Sequence, residues 1–382
     1  TGWAVDNQDS AILKSTNGGL TWAPTSVVTP AVYVRFLDSS NGWAVGPGGS
    51  IFHSSDGGNT WNVRALNPVN NNSSTSTGGI VYNGVEFPDQ THGWLVGLNG
   101  MIRATSDGGQ NWNYQAPGLV ANNLNAVRFR GAQSGWVVGD SGIILHTADG
   151  GSTWALQNSG TNAALIGVDF VDAKHGCAVG AGGTILYTAD GGNTWTQMLS
   201  PVGSTLFSVS MVDDDTIFAA GRGSGNGGTI VASFDASQGG NWEQLLDPYP
   251  DDLYTIKMVD VNNGWAVGAN GRILHAIDGG GTWDNETWPN EQQAAASVNG
   301  HQFILYGADF EAIPLPTPTG SPQQYRYAGW VVGDNGTVLR TTDGAHWTAV
   351  NLGTINSLRA FRFTDPDSGW TAGTQGTLQH LN

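Results

Sequence analysis

The feature that most limits how this chain can fold is a pair of tryptophan motifs recurring together from one end to the other. Gly-Trp followed by small or branched residues stands at Gly2-Trp3, Gly42-Trp43, Gly93-Trp94, Gly135-Trp136, Gly264-Trp265, Gly329-Trp330 and Gly369-Trp370. Gly176-Cys177 and Ile217-Phe218 hold the same register in two divergent copies. Nine copies therefore follow one another, mostly 40–44 residues apart, with longer steps of 47, 51 and 65 residues, insertions lying in the last two. A second motif follows every copy but the last. It reads Thr16-Asn17-Gly18-Gly19-Leu20-Thr21-Trp22, then Asp56-Gly57-Gly58-Asn59-Thr60-Trp61, with counterparts from Asp107 to Trp112, Asp149 to Trp154, Asp190 to Trp195 and Asp278 to Trp283. Altered copies end at Trp242 and Trp347. Units of this size cannot bury an apolar face alone and must stack on their neighbours.

Each unit carries four short stretches of alternating apolar residues punctuated by glycine, with no helical period, which predicts strands throughout. The first stretch has the form V-x-F, as in Val85-Glu86-Phe87, Val127-Arg128-Phe129 and Val168-Asp169-Phe170; the second is the Gly-Trp run; the third resembles Ile143-Ile144-Leu145-His146-Thr147; the fourth begins at the Trp of the Asp motif. Four antiparallel strands per repeat of about 40–45 residues define a β-propeller blade. In the Asp motif the carboxylate accepts local backbone N–H groups, the glycines supply positive φ, and Trp anchors the next strand between blades. Asp56, Trp61, Asp107, Trp112, Asp149, Trp154, Asp190, Trp195, Asp278 and Trp283 are read as this structural set.

The T-x-D-G-G-x-T-W element resembles the Asp-box of sialidase-type (BNR) propellers. Its coupling to G-W-A-V-G is similar to the photosystem II assembly and stability factor family. The resemblance implies a seven-bladed, non-enzymatic assembly scaffold acting in the thylakoid lumen or periplasm.

The repeats predict an all-β chain with one propeller domain over residues 1–382: a partial first repeat at 1–29, seven complete repeats at 31–357, and a partial last repeat at 355–382. The first and last pieces both contain second and third strands, so they cannot merge into one blade. Eight or nine blades are expected, with pairing to a neighbouring subunit as the alternative, since an incomplete blade leaves an open edge.

Charge narrows the partners. Lys and Arg number 14 against 31 Asp and Glu, a net charge of −17, so a phosphate backbone would be repelled and nucleic acid is not expected. Apolar runs never reach the length of a membrane span, and no basic stretch followed by an apolar run opens the chain, so membrane insertion is not expected either. The single cysteine, Cys177, excludes an internal disulfide and cysteine-based metal sites. Few lysines and many Asn, Thr and Ser point to an extracytoplasmic setting: secreted, periplasmic or at the cell surface.

The variable residue between the two apolar residues of each first strand reads Arg35, Glu86, Arg128, Asp169, Ser210, Lys257, Asp309 and Arg362, with signs that largely alternate. The first strand of a blade is the innermost, so these side chains approach the central channel. They form either a structural ring of ion pairs or a partner site at the channel mouth, with Arg35, Arg128 and Arg362 as basic contacts. No catalytic residue, cofactor or metal is assigned. Glycoside hydrolysis needs two carboxylates about 5–10 Å apart; Glu86 with Asp169, or Asp213-Asp214-Asp215 and Asp251-Asp252, are the available sets, and no spacing singles one out. His53, His146 and His275 share a register read as a solvated strand face. Insertions at 66–80 and 284–302 follow fourth strands and mark one face, whereas Glu311 to Tyr327 projects from the other. The reading is an interaction or assembly scaffold that binds protein or itself on the face of the first two insertions. A carbohydrate-binding or carbohydrate-cleaving propeller and a self-assembling surface or filament subunit are the alternatives.

Overall fold

The computed structural model describes residues 81–381 except 224–226, 287–302, 317–322, 352–355, 366–367 and 375–376, and, before them, the backbone of seven strands between Gly2 and Arg64. The described strands form nine antiparallel sheets: a three-stranded sheet, seven four-stranded sheets and a final three-stranded sheet. In each, chain order is spatial order, so every sheet is a meander. The second strand is flanked on both sides and reads as an uninterrupted buried run; Gly93–Gly97, Gly176–Gly180 and Gly264–Gly268 are buried at every residue.

The turn between second and third strands explains the glycine after each such run. In residues 139–143 the chain makes a tight turn in which Ser141 has φ 59° and Gly142 φ 71°, the paired positive values of a hairpin turn matched to strand twist. A Cβ on Gly142 would lie 2.0 Å from the Thr161 carbonyl oxygen, so no other residue fits.

Blades join through aromatic rings. The Trp of one second strand lies flat on the Phe that opens the next blade, at centroid distances of 3.5 Å for Trp94–Phe129 and 3.6 Å for Trp136–Phe170. The box Trp of that next blade meets the same Phe edge-on, as Trp154 does Phe129 and Trp195 does Phe170. The Trp136 Nε1 donates to the Gly191 carbonyl at 2.9 Å. Where Cys177 and Phe218 replace Trp, Met211 and Met258 replace the Phe, and the buried clusters stay closed.

The ring closes earlier than the repeat count predicts. Going round the channel, the inner strands are Tyr82–Glu86, Leu124–Arg130, Leu165–Phe170, Leu206–Met211, Leu253–Met258, Leu305–Pro314 and Leu358–Asp365; the last lies beside the first. Arg362 reaches Glu86 at 2.6 Å, and Trp370 stacks on Phe87 at 5.3 Å with the rings 7° from parallel. The ring thus has six four-stranded blades and the three-stranded sheet of residues 358–381 that seals it, not eight or nine blades. The reason is physical. Closure needs an aromatic contact and a charge pair between two particular blades, and Phe87 and Glu86 supply both, leaving no opening between residues 82 and 381 for another sheet. The two sheets formed by strands between Gly2 and Arg64 stand outside this cycle.

Candidate functional site

All seven inner strands break their pairing at one place. The ladder shifts between Tyr82 and Gly84, Leu124 and Ala126, Leu165 and Gly167, Leu206 and Ser208, Leu253 and Thr255, Leu305 and Gly307, and Leu358 and Ala360. The skipped residues are Asn83, Asn125, Ile166, Phe207, Tyr254, Tyr306 and Arg359. A bulge inserts an unpaired residue and re-aims its side chain. All seven line a single cavity of about 490 Å³ at one end of the channel.

The wall of this mouth is uneven. Phe207, Tyr254 and Tyr306, from consecutive blades, make an aromatic crescent, with centroids 4.9 Å and 5.8 Å apart. Two guanidinium groups cap it. Arg222 lies 5.9 Å from the Phe207 ring and is held by Asp252 at 2.9 Å; Arg359 lies 5.2 Å from the Tyr306 ring. Burial pushes the Tyr306 phenol up to about 12, with Asp334 adding to the rise, so the crescent stays neutral. Opposite stand Asn83 and Asn125, whose amides donate to the Leu124 and Leu165 carbonyls across blade boundaries. Of the two insertions expected on one face, 66–80 and all of 284–302 after residue 286 lie outside the described residues.

Three residues further along each strand is the charged ring. Arg128 bridges Glu86 at 3.3 Å and Asp169 at 2.7 Å; Arg362 bridges Glu86 at 2.6 Å and Asp309 at 3.2 Å. One chain of ion pairs therefore runs Asp169, Arg128, Glu86, Arg362, Asp309. Asp169 also accepts the Met211 N–H, and although burial opposes ionisation, Arg128, Lys257 and Arg130 hold its carboxyl below the usual range. Arg362 is pushed further up by Glu86 and Asp309 against the cost of burial. Arg35 belongs to the strand Tyr33–Phe36, but its side chain is outside the described residues, as are Asp56 and Trp61. Ser210 and Lys257 complete the ring. The guanidinium groups of Arg128 and Arg362 are engaged by carboxylates, so the cations open to an incoming group lie elsewhere.

The boxes are saturated locally. Asp149 Oδ1 accepts the Thr147 hydroxyl at 2.8 Å and the Thr153 N–H at 2.8 Å, while Oδ2 accepts the Thr153 hydroxyl at 2.7 Å. Asp107 and Asp190 repeat this, and Asp278 binds Thr282 through both oxygens. Two boxes are wired to the preceding blade: Trp154 Nε1 donates to Gln115 and Trp195 Nε1 to Gln157. In the divergent copy Asp235 takes the role, its Oδ1 accepting the Asn241 N–H. It sits two residues further from its Trp than usual, which hides it from a fixed-spacing search.

The histidine register corrects the expectation of a solvated face. His146 stacks on Trp136 at 5.0 Å and His275 on Trp265 at 4.2 Å, and burial lowers both imidazoles. Among the described residues no group of three or more His, Cys, Asp or Glu is placed to hold a metal. In the acidic loops, Asp251 is engaged by Arg272 at 2.6 Å, Asp252 by Arg222, Asp213 by the N–H groups of Asp215 and Thr216, and Asp215 by Ser237. Residues 311–314 and 325–328 extend the blade's first hairpin on the opposite face.

These features define an Asp-box β-propeller with a channel narrowed by an ion-pair ring and open at an aromatic mouth. The chain resembles the photosystem II assembly factor family: the model for "Photosynthesis system II assembly factor YCF48" matches residues 74–159 and 153–224. A curated relative, the "Photosystem II assembly lipoprotein Ycf48" of Synechococcus sp. (strain CC9902), is 36% identical over 80 residues; the match spans 21% of this chain and 22% of that protein. Among solved structures, "YCF48 bound to D1 peptide" superposes with a TM-score of 0.60 at 22% identity, covering 80% of this chain and 92% of the other. YCF48 from Cyanidioschyzon merolae gives 0.59 at 18% identity, covering 80% and 97%. At these identities the superpositions show the shared propeller fold.

Proposed function

We propose that the protein is a non-catalytic assembly scaffold outside the cytoplasm that binds a segment of another protein at the aromatic mouth of its channel. The observation that carries this reading is the mouth itself: a cavity of about 490 Å³ with seven bulged residues in its wall. Three consecutive blades there present aromatic rings with guanidinium groups at both ends. Flat, rigid aromatic side chains and arginine are the groups that dominate protein interfaces. Of the carboxylates that a hydrolase could use, Glu86, Asp169, Asp251 and Asp252 are held in ion pairs with arginine and Asp213 by backbone N–H groups. That a solved YCF48 structure carries a D1 peptide supports a peptide segment as the occupant.

Site-specific photocrosslinking tests it. With a photoreactive amino acid at position 207 or 306 in the native host, a single stoichiometric protein adduct is expected, and none from position 156, an exposed outer-strand site. Equal labelling at 156, or an adduct consisting only of glycan or of a second copy of this chain, would overturn the reading.

A further inference from the structure

One member of the charged ring stands apart from the ion-pair chain. Lys257 occupies the register of Arg128 on its own inner strand, pairing with Trp265 as Arg128 pairs with Trp136. Arg128 bonds both flanking carboxylates, Glu86 and Asp169. Lys257 is flanked by Ser210 and Asp309, and among the described residues it makes no ion pair or hydrogen bond. Ser210 is occupied in accepting the Met258 N–H at 3.0 Å. Asp309 already takes three donors, Oδ1 from the Phe310 N–H and Arg362 and Oδ2 from the Phe363 N–H, and Lys257 makes no ion pair or hydrogen bond with it. A lysine side chain is shorter than arginine and offers a point charge instead of a fork, so the register that works for Arg128 leaves Lys257 unmatched.

The space around it is open. Lys257 and Arg362 line both the mouth cavity and a second cavity of about 280 Å³ on the far side of the ring. Glu86, Arg128, Asp309 and Glu311 also line this second cavity. Burial lowers the Lys257 ammonium below the ordinary lysine value, while Asp309 works to raise it. A partly dry cation without a contact partner is costly, and a single negative charge would relieve that cost.

We propose that the channel waist is a carboxylate-binding site in which Lys257 takes one monoanionic carboxylate, supplied by a small organic acid or by the end of a peptide. A monoanion matches the one cation left without a partner; a doubly charged group would face Asp169, Asp309 and Glu311 at close quarters. The site does not depend on a protein occupying the mouth.

The sequence holds only three lysines, Lys14, Lys174 and Lys257, so the full chain labelled with [13Cε]lysine gives three side-chain signals. Titration with acetate at constant ionic strength should move the Lys257 signal along a saturating curve while the other two stay fixed. Tetraglycine with a free carboxyl terminus, compared with its amide, separates the sources. Movement with the acid form alone places a chain end in the site, and movement with acetate but neither peptide leaves a small acid as the ligand. Lys257→Arg should keep the fold, form the Asp309 pair that Arg128 forms with Asp169, and lose the protection against thermal unfolding that acetate gives the unsubstituted chain. No movement with any carboxylate, equal movement of all three signals, or undiminished acetate protection in K257R would each overturn the proposal.

Discussion

Removing Arg362 should open the ring at its seam. Its guanidinium bonds Glu86 at 2.6 Å and Asp309 at 3.2 Å, with side-chain exposures of 20% for Arg362, 4% for Glu86 and 9% for Asp309. Arg362→Met keeps the stem and deletes the charge. Glu86 retains Arg128 alone, at 3.3 Å. Asp309 keeps two backbone N–H donors and loses its ion pair. Breaking a buried pair from one side typically costs about 3–5 kcal/mol, because the abandoned carboxylate stays buried. The better-hydrated arginine and the surviving donors put the expected loss at the lower end, roughly 3 kcal/mol. Glu86→Gln in the same chain converts one stranded charge into a neutral amide. The double variant should therefore recover part of the loss, with a coupling energy between about 0.5 and 3 kcal/mol, as for residues in direct contact. Urea unfolding followed by tryptophan fluorescence measures all four corners of the cycle, provided the slope m is unchanged; exposed Lys174→Met is the control. Additive effects of R362M and E86Q, or a loss in R362M no larger than in the control, would refute closure between residues 82–115 and 358–381.

Trp154→Ala should cost roughly 3–5 kcal/mol, as for other buried large-to-small changes, since its ring lies edge-on to Phe129 and its Nε1 holds Gln115; thermal unfolding reads this directly. Asp172 is held at about 2: burial acts to raise it, and hydrogen bonds from His175 and Lys174 outweigh that. Its folded value lies below its unfolded one, so its contribution is complete above about pH 4 and is lost as pH falls towards 2. Asp172→Asn should flatten that part of the stability profile. His146 runs through a higher window. With the imidazole lowered by burial, the unfolded chain takes the proton first, so stability falls as pH drops below about 6.5, and His146→Gln should remove that slope.

Much of this molecule is written locally. The strands, the hairpin glycines and the boxes follow from alternation and spacing, and the position of Glu86, Arg128, Asp169, Lys257, Asp309 and Arg362 on the inner strand follows from their place between two apolar residues of the first strand, eight residues before the Trp register in every case but Asp309. Closure is different. It depends on Phe87 meeting Trp370 and Glu86 meeting Arg362, contacts between residues 276 positions apart in the second case, and counting repeats cannot tell which copies will meet. The aromatic mouth is hidden for another reason. Strand alternation places the residue three before the charged position on the opposite face, and only the bulge at Phe207, Tyr254 and Tyr306 swings it into the channel. Tabulating that offset across the repeats, Asn83, Asn125, Ile166, Phe207, Tyr254, Tyr306 and Arg359, would have exposed a position far more varied than its neighbours. His146 and His275 escaped because their ring stacking on Trp lies across paired strands and not along the sequence.

The seven bulges also bear on how such a molecule changes over time. A residue in a ladder answers to its hydrogen-bond partners and to the blade behind it, whereas each bulged residue is released from ladder pairing and lines the cavity. Asparagine, isoleucine, phenylalanine, tyrosine and arginine all occupy this place in one chain without altering the strand that carries them. Seven such places converge on one opening, so the lining of the mouth is open to revision one blade at a time, with the aromatic joints and the ion-pair ring left untouched. Duplicated repeats thereby supply a fixed frame around a set of independently adjustable side chains, and a new ligand requires no new fold.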